Sequence, residues 1–295
     1  MAPTLLVLAA GQGSRYGGLK QMDPVGPSEE TLLDYAVFDA QRAGFGRVVF
    51  VIRQDFAAAF REKIGARYAG RIAVDYVLQA TSARPAGCVP RLGREKPWGT
   101  AHAVWCARDL IREPFAVINA DDFYGADSYL QLAQFLAGTA RAPQQAPRFA
   151  MAAFRLAATL STHGTVSRGI CLTDTHGRLV SLTEHTAIAA ADVGPGRAFT
   201  GNEIVSMNCW GFTPEIFTAL DSQLRDFLAA SGGDPKAELY LPSAVAVMLA
   251  NGGATVDVLP VAGAWFGVTH REDKPRVQAA LAGLVRAGNY PAKLL

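Results

Sequence analysis

The stretch "LAAGQGSRYGGLKQ", residues 8–21, sets four glycines, one arginine and one lysine directly behind a run of aliphatic residues. If a strand ends near Ala10, Gly11 and Gly13 let the backbone approach a ligand with no Cβ in the way. Successive free amides in such a turn form an anion nest, and Arg15 and Lys20 add fixed positive charge to it. The set fits a triphosphate. Two familiar phosphate loops fail on spacing. A dinucleotide fold wants G-x-G-x-x-G and an acidic residue at the end of the second strand, whereas here the third glycine comes one residue late, at Gly17, and the second strand ends in Ile52 and Arg53. The P-loop string G-x-x-x-x-G-K-[ST] does not occur.

Such a loop needs a buried strand before it and a sheet around it. Apolar runs at 4–10, 47–52, 72–78 and 115–120 alternate with stretches of helical period near 31–43, 55–68, 99–111 and 127–137. That alternation predicts an α/β fold with a mostly parallel, Rossmann-like central sheet and helices on both faces. Beyond residue 148 the texture changes. Strand-like runs at 149–156, 166–174, 177–185 and 203–212 follow with little helix between them, then helices at 214–230, 239–252 and 277–291. The reading is a single domain, 1–295, with a nucleotide-binding half (1–148) and a more antiparallel, substrate-facing half (149–295). The polar, proline-containing segment 138–148 is the linker, and the long connection 79–98 is a loop over the site.

Composition narrows the class. The chain has 295 residues, half of them apolar, and a net charge of only +2 on 28 basic and 26 acidic side chains. Length and apolar content suffice for a large core, and no bulk field argues for nucleic acid or an anionic membrane. No window approaches the roughly 18 uninterrupted apolar residues of a membrane span, and the first residues read as a strand rather than a signal peptide, so cytoplasmic is the default. Cys88, Cys106, Cys171 and Cys209 are scattered without a CxxC pair, which disfavours a zinc site and a disulfide framework. The five histidines show no ligand spacing.

The glycine-rich loop with its downstream arginine and lysine resembles the signature loop of the sugar-1-phosphate nucleotidylyltransferases, and "PWGT", "NADD", "SMNCWGF" and "WFGVT" extend the likeness along most of the chain in the expected order. The resemblance implies a GT-A-like α/β fold, a nucleoside triphosphate and a sugar 1-phosphate as substrates, and Mg²⁺ as cofactor. It implies an enzyme in which an oxygen of the sugar phosphate attacks the α-phosphorus and pyrophosphate leaves. The attacking phosphate is already ionised, so no side-chain base is required.

By the same resemblance Arg15, Lys20 and Asp121 are catalytic, and Asp121 with Asp122 in "NADD" holds the metal. Ala10, Gly11, Gly13, Gln79, Gly99 and Thr100 bind the nucleotide, Gln79 facing a pyrimidine base so that UTP or dTTP is favoured. Gly164, Glu184 and Asn208 bind the sugar. Lys96, Lys236 and Glu238 are further candidates around the phosphates. Trp210 reads as core. Two positions depart from the pattern: His185 stands where many relatives carry a lysine, and Gly267 where many carry a second metal-binding aspartate, leaving that ligand unassigned. Two alternatives stay open, nucleotidyl transfer to a non-sugar phosphate and a non-catalytic nucleotide-sugar sensor. The sequence names no protein partner and leaves a homo-oligomer open.

Overall fold

Thr4–Leu8 is β1, buried along its whole length as a strand covered on both faces must be. The computed structural model describes residues 2–11, 20–88, 94, 96–139, 146–161, 164–268 and 271–294, with Lys20 described by its backbone alone. After β1 come α1 (Leu32–Arg42), β2 (Arg47–Ile52), α2 (Ala57–Lys63), β3 (Ala73–Leu78), α3 (Thr100–Cys106) and β4 (Phe115–Asn119). Next are β5 (Asp122–Phe123), α4 (Gly125–Ala137), β6 (Arg148–Arg155), β7 (Val166–Thr173), β8 (Leu179–Ile188), β9 (Ile204–Ser206) and β10 (Trp210–Phe212). The chain closes with α5 (Ile216–Ser231), α6 (Leu241–Ala250), β11 (Thr255–Pro260), β12 (Phe266–Gly267) and α7 (Lys274–Arg286).

One sheet runs in the order β3-β2-β1-β4-β10-β6-β9-β7-β8, with β11 also on β6. The β3-β2-β1-β4 section is parallel throughout. From β10 onward the pairings turn antiparallel, apart from β11 on β6. Side chains alternate along β1: Leu5 and Val7 enter a core with α1 and α4, while Leu6 and Leu8 enter one with α3, α5 and α6. A third cluster joins Leu32 and Tyr35 of α1 to Phe266 and to Val277 and Leu281 of α7, so the terminal helix packs on the core. Among the described residues no helix is long and apolar enough to cross a membrane.

Several expected elements differ in extent. The run 203–212 is two short strands, because Asn208 takes a left-handed backbone, φ +57°, that no continuous strand accommodates. The helix expected at 55–68 is α2 flanked by two 3₁₀ turns, and the expected third strand is a half-exposed edge. The pair β5 and β12, as well as β11, lie outside the expected strands, being too short or too polar to stand out. The linker expected at 138–148 lies partly outside the described residues.

Candidate functional site

β1 and β4 are parallel neighbours in register, Leu8 beside Asn119, so their carboxyl ends open on the same edge of the sheet. Ligands of open α/β sheets bind outside such ends. A cavity of about 360 Å³ lies there. Its walls are Leu8, Ala10 and Gly11 behind β1, Gln79 behind β3, and Asn119 and Asp121 behind β4. Lys96, Pro97, Gly99, Thr100 and Ala103 close one side, with Asn208 and Glu238 coming from the second half.

Ala10, Gly11, Gln79, Gly99, Thr100, Asp121 and Asn208, all expected from sequence, therefore share one cavity. Gly13 and Arg15 lie outside the described residues, and so does the side chain of Lys20. Asp122, Gly164 and Glu184 do not line the cavity.

Gly99 is glycine for a packing reason. Its φ is +102°, and a Cβ there would come within 2.5 Å of the Leu239 carbonyl oxygen. The segment before α6 crosses at this point: Leu239 N–H donates to Trp98 O (2.8 Å), and Ala101 N–H donates to Leu239 O (3.0 Å). Thr100 does not cap its own helix, whose N-cap is Gly99; its hydroxyl oxygen accepts Leu241 N–H at 2.8 Å, satisfying an otherwise orphaned amide at the start of α6. Gln79 is buried, and its Nε2 donates to Gly99 O at 2.9 Å.

Asp121, in the turn after β4, and Asp122, the first residue of β5, have different surroundings. Asp121 lines the cavity. Asp122 is buried, its Oδ2 accepting from Asn119 Nδ2 at 2.9 Å and lying 3.1 Å from the Tyr124 hydroxyl, which also reaches Met207 O at 2.8 Å. Its Oδ1 lies over Gly267, the residue paired with it between β5 and β12. A Cβ on residue 267 would fall 2.3 Å from that oxygen. The glycine in "WFGVT" is thus the partner of the second aspartate in "NADD": a side chain at 267 would require the Asp122 carboxylate to shift.

Lys96 at the cavity wall is ion-paired with Glu238, so two of the candidate phosphate-side residues face each other. Asn208 lines the cavity, and its buried Oδ1 has no hydrogen-bond partner among the described residues, an acceptor that a ligand hydroxyl could satisfy. Glu184 stands on β8 opposite Gly169; desolvation raises its carboxyl pKa, while Arg168 and His185 oppose the rise. Gly164, φ +143°, is exposed with open space where a Cβ would go. Trp210 is fully buried, as expected of core.

Sequence reasoning missed three contributors. Gln21, the last letter of the opening motif, is buried and donates from Nε2 to Ala9 O (3.2 Å) and Gly11 O (3.0 Å), which fixes the start of the glycine-rich loop. Asn119 had a signal only as part of "NADD". Arg168 has its guanidinium over the Trp265 ring at 5.1 Å and donates to Thr159 Oγ1 at 3.0 Å. Burial lowers its pKa, and the charges of Asp122 and Glu184 oppose that shift. Among the described residues no group of three or more His, Cys, Asp or Glu side chains could hold a metal by itself. Magnesium asks for less, one or two carboxylates with substrate phosphates completing the shell, and Asp121 meets that requirement.

The nucleotidyl transferase family profile matches residues 4–231, and the chain belongs to that family of enzymes. Solved structures agree on the fold. A protein assigned as a glucose-1-phosphate thymidylyltransferase from Bacillus anthracis, in complex with sucrose, superposes with a TM-score of 0.63 at 13% identity, over 95% of each chain. A UDP-glucose pyrophosphorylase complexed with UDP-glucose gives 0.62 at 17% identity, covering 96% of this chain and 99% of the other. The inositol-1-phosphate CTP transferase of T. maritima gives 0.60 at 12% identity over 96% of each. No curated protein matches the sequence.

Proposed function

We propose that the protein transfers a nucleotidyl group from a nucleoside triphosphate, UTP or dTTP favoured, to a sugar 1-phosphate, releasing pyrophosphate. The observation that carries the reading is the convergence of Ala10, Gly11, Gln79, Gly99, Thr100, Asp121 and Asn208 on one cavity at the carboxyl ends of parallel strands. An oxygen of the sugar phosphate attacks the α-phosphorus in line, and the bond from that phosphorus to pyrophosphate breaks. Arg15 and Lys20, on the glycine-rich loop, neutralise the triphosphate; Gln79 meets the base. Gly164, Glu184 and Asn208 bind the sugar. Asp121 holds Mg²⁺, with Asp122 supporting it by fixing Asn119 and Tyr124. The ion, when bound, supplies charge neutralisation on the phosphates. The division into a nucleotide half, 1–148, and a sugar-phosphate half, 149–295, belongs to this reading, as does a cytoplasmic location.

The test is pyrophosphate release from purified protein with Mg²⁺, five nucleoside triphosphates crossed with a panel of hexose and hexosamine 1-phosphates and an inositol phosphate. Release that depends on one sugar 1-phosphate with UTP or dTTP is the expected result. Release only with the inositol phosphate moves the acceptor class, and silence across the panel with nucleotide still bound overturns the catalytic reading in favour of a sensor.

A further inference from the structure

His102 is fully buried in α3, stacked on Trp105 with ring centroids 5.8 Å apart, and it touches the base-facing glutamine. Gln79 Nε2 lies 3.1 Å from His102 Nδ1, and His102 Nε2 lies 2.8 Å from the carbonyl oxygen of Ala83. The two ends of this chain are carbonyl oxygens, which only accept. Gly99 O therefore requires the amide nitrogen of Gln79 to face it, and Ala83 O requires a proton on His102 Nε2. Cys106 Sγ, 3.6 Å from the same Nε2, is a weak further partner. With the proton on Nε2, Nδ1 carries the lone pair and takes the second N–H of Gln79. Both amide hydrogens are then consumed. Only Oε1 remains, it makes no hydrogen bond among the described residues, and the residue lines the cavity.

The geometry points to His102 as a positioning residue that locks Gln79 with its acceptor toward the base, so that the site prefers uracil or thymine, which carry a ring N3–H, over cytosine, whose N3 is itself an acceptor. The inference rests on the reading that the base of a nucleoside triphosphate sits against Gln79. A protonated imidazole would turn an N–H against the Gln79 amide. Burial opposes that state, pushing the His102 pKa down to about 4, with Arg108 and Arg94 adding in the same direction and the Ala83 hydrogen bond opposing. Without the imidazole lone pair, one N–H of a buried amide is left unpaired, and the amide gains by turning toward a base that accepts.

The test compares kcat/KM for CTP with that for UTP or dTTP in wild type, His102→Leu, His102→Asn and Gln79→Ala. The ratio is independent of how much of each preparation is folded. In His102→Leu the preference against CTP falls at least tenfold, carried by KM for the nucleotide. In His102→Asn, whose Oδ1 replaces the Nδ1 acceptor, most of the preference returns. An unchanged ratio in His102→Leu, with Gln79→Ala shifting it, overturns the role of His102 alone; an unchanged ratio in Gln79→Ala overturns the placement of the base. Should the Leu variant not fold, ¹H–¹⁵N long-range correlation spectra of the wild-type imidazole decide the matter. Protonation at Nε2 with a bare Nδ1 supports the lock, and protonation at Nδ1 overturns it.

Discussion

Asn208 shows how one residue carries two separable tasks. Its left-handed backbone, φ +57°, breaks the chain between β9 and β10, and its side chain presents an acceptor at the cavity. Asparagine tolerates that conformation better than most residues, whereas alanine there costs about 1 kcal/mol and glycine nothing. Asn208→Ala is expected to lose about 1 kcal/mol in denaturant unfolding while Asn208→Gly stays near wild type, yet both raise KM for the acceptor by about tenfold, the loss of one hydrogen bond. Parallel stability losses with an unchanged acceptor KM in both variants would remove the side chain from the site. Single residues of this kind were partly legible. Gly11, Gln79 and Asp121 stood out in sequence through the motifs they belong to, and the fold brings the three to one cavity. The tie from His102 to Gln79 was hidden, since a lone histidine with no ligand spacing signals nothing until α3 brings it beside the end of β3.

Between elements, the two-residue pair β5 and β12 decides where carboxylates can stand. A Cβ at residue 267 meets Asp122 Oδ1 at 2.3 Å and Trp265 Cζ2 at 3.1 Å, so a side chain there is overpacked while Asp122 holds its place. Gly267→Ala is expected to destabilise by about 2 kcal/mol in the native background and by less than about 1 kcal/mol in an Asp122→Gly background, the difference being the coupling of the pair. Equal losses in both, by chemical denaturation, would show that the contact is relieved elsewhere at little cost. The long, strongly apolar parallel strands were readable from sequence, because burial on both faces leaves an uninterrupted run. Strands of two or three residues such as β5, β9, β10 and β12 leave too little pattern to read, and β11 alternates polar and apolar residues at a half-covered position. The departure at Gly267 was visible in the sequence; that a carboxylate from the paired strand fills the neighbouring space required the register.

Over the whole molecule, one sheet threads strands from both halves, and the chain end is tied back to its beginning. The Tyr290 hydroxyl donates to Asp39 Oδ2 at 2.6 Å, and the Tyr290 ring packs edge-on against Tyr35 at 5.0 Å. Asp39 is 1% exposed, and burial pushes its carboxyl up to about 7, with the Tyr290 bond and Arg42 opposing. A carboxyl whose pKa is raised by folding stabilises the native state most at low pH. That contribution is full below its ordinary value near 4 and is lost as pH rises through about 7. Asp39→Asn should therefore flatten this part of the stability profile, gaining on the order of 3 kcal/mol relative to wild type at pH 8 and little near pH 4. Thermal or denaturant unfolding across that range checks it; a variant equally destabilised at every pH would assign Asp39 an ionised structural role instead. None of this tie was legible in sequence, since it joins residues 39 and 290 through a fold that packs α7 and the segment after it against α1.

We propose that nucleotidyl transfer takes place at the cavity where β1 and β4 end, with Asp121 holding the metal. The most direct measurement is steady-state turnover of Asp121→Asn on the best substrate pair, beside nucleotide affinity by calorimetry without metal. The expected result is a fall in kcat of about 10³-fold, the scale of losing one preorganised charge-stabilising group, with metal-free nucleotide affinity within about threefold of wild type. Turnover of Asp121→Asn close to wild type would contradict it and move the chemistry away from this cavity.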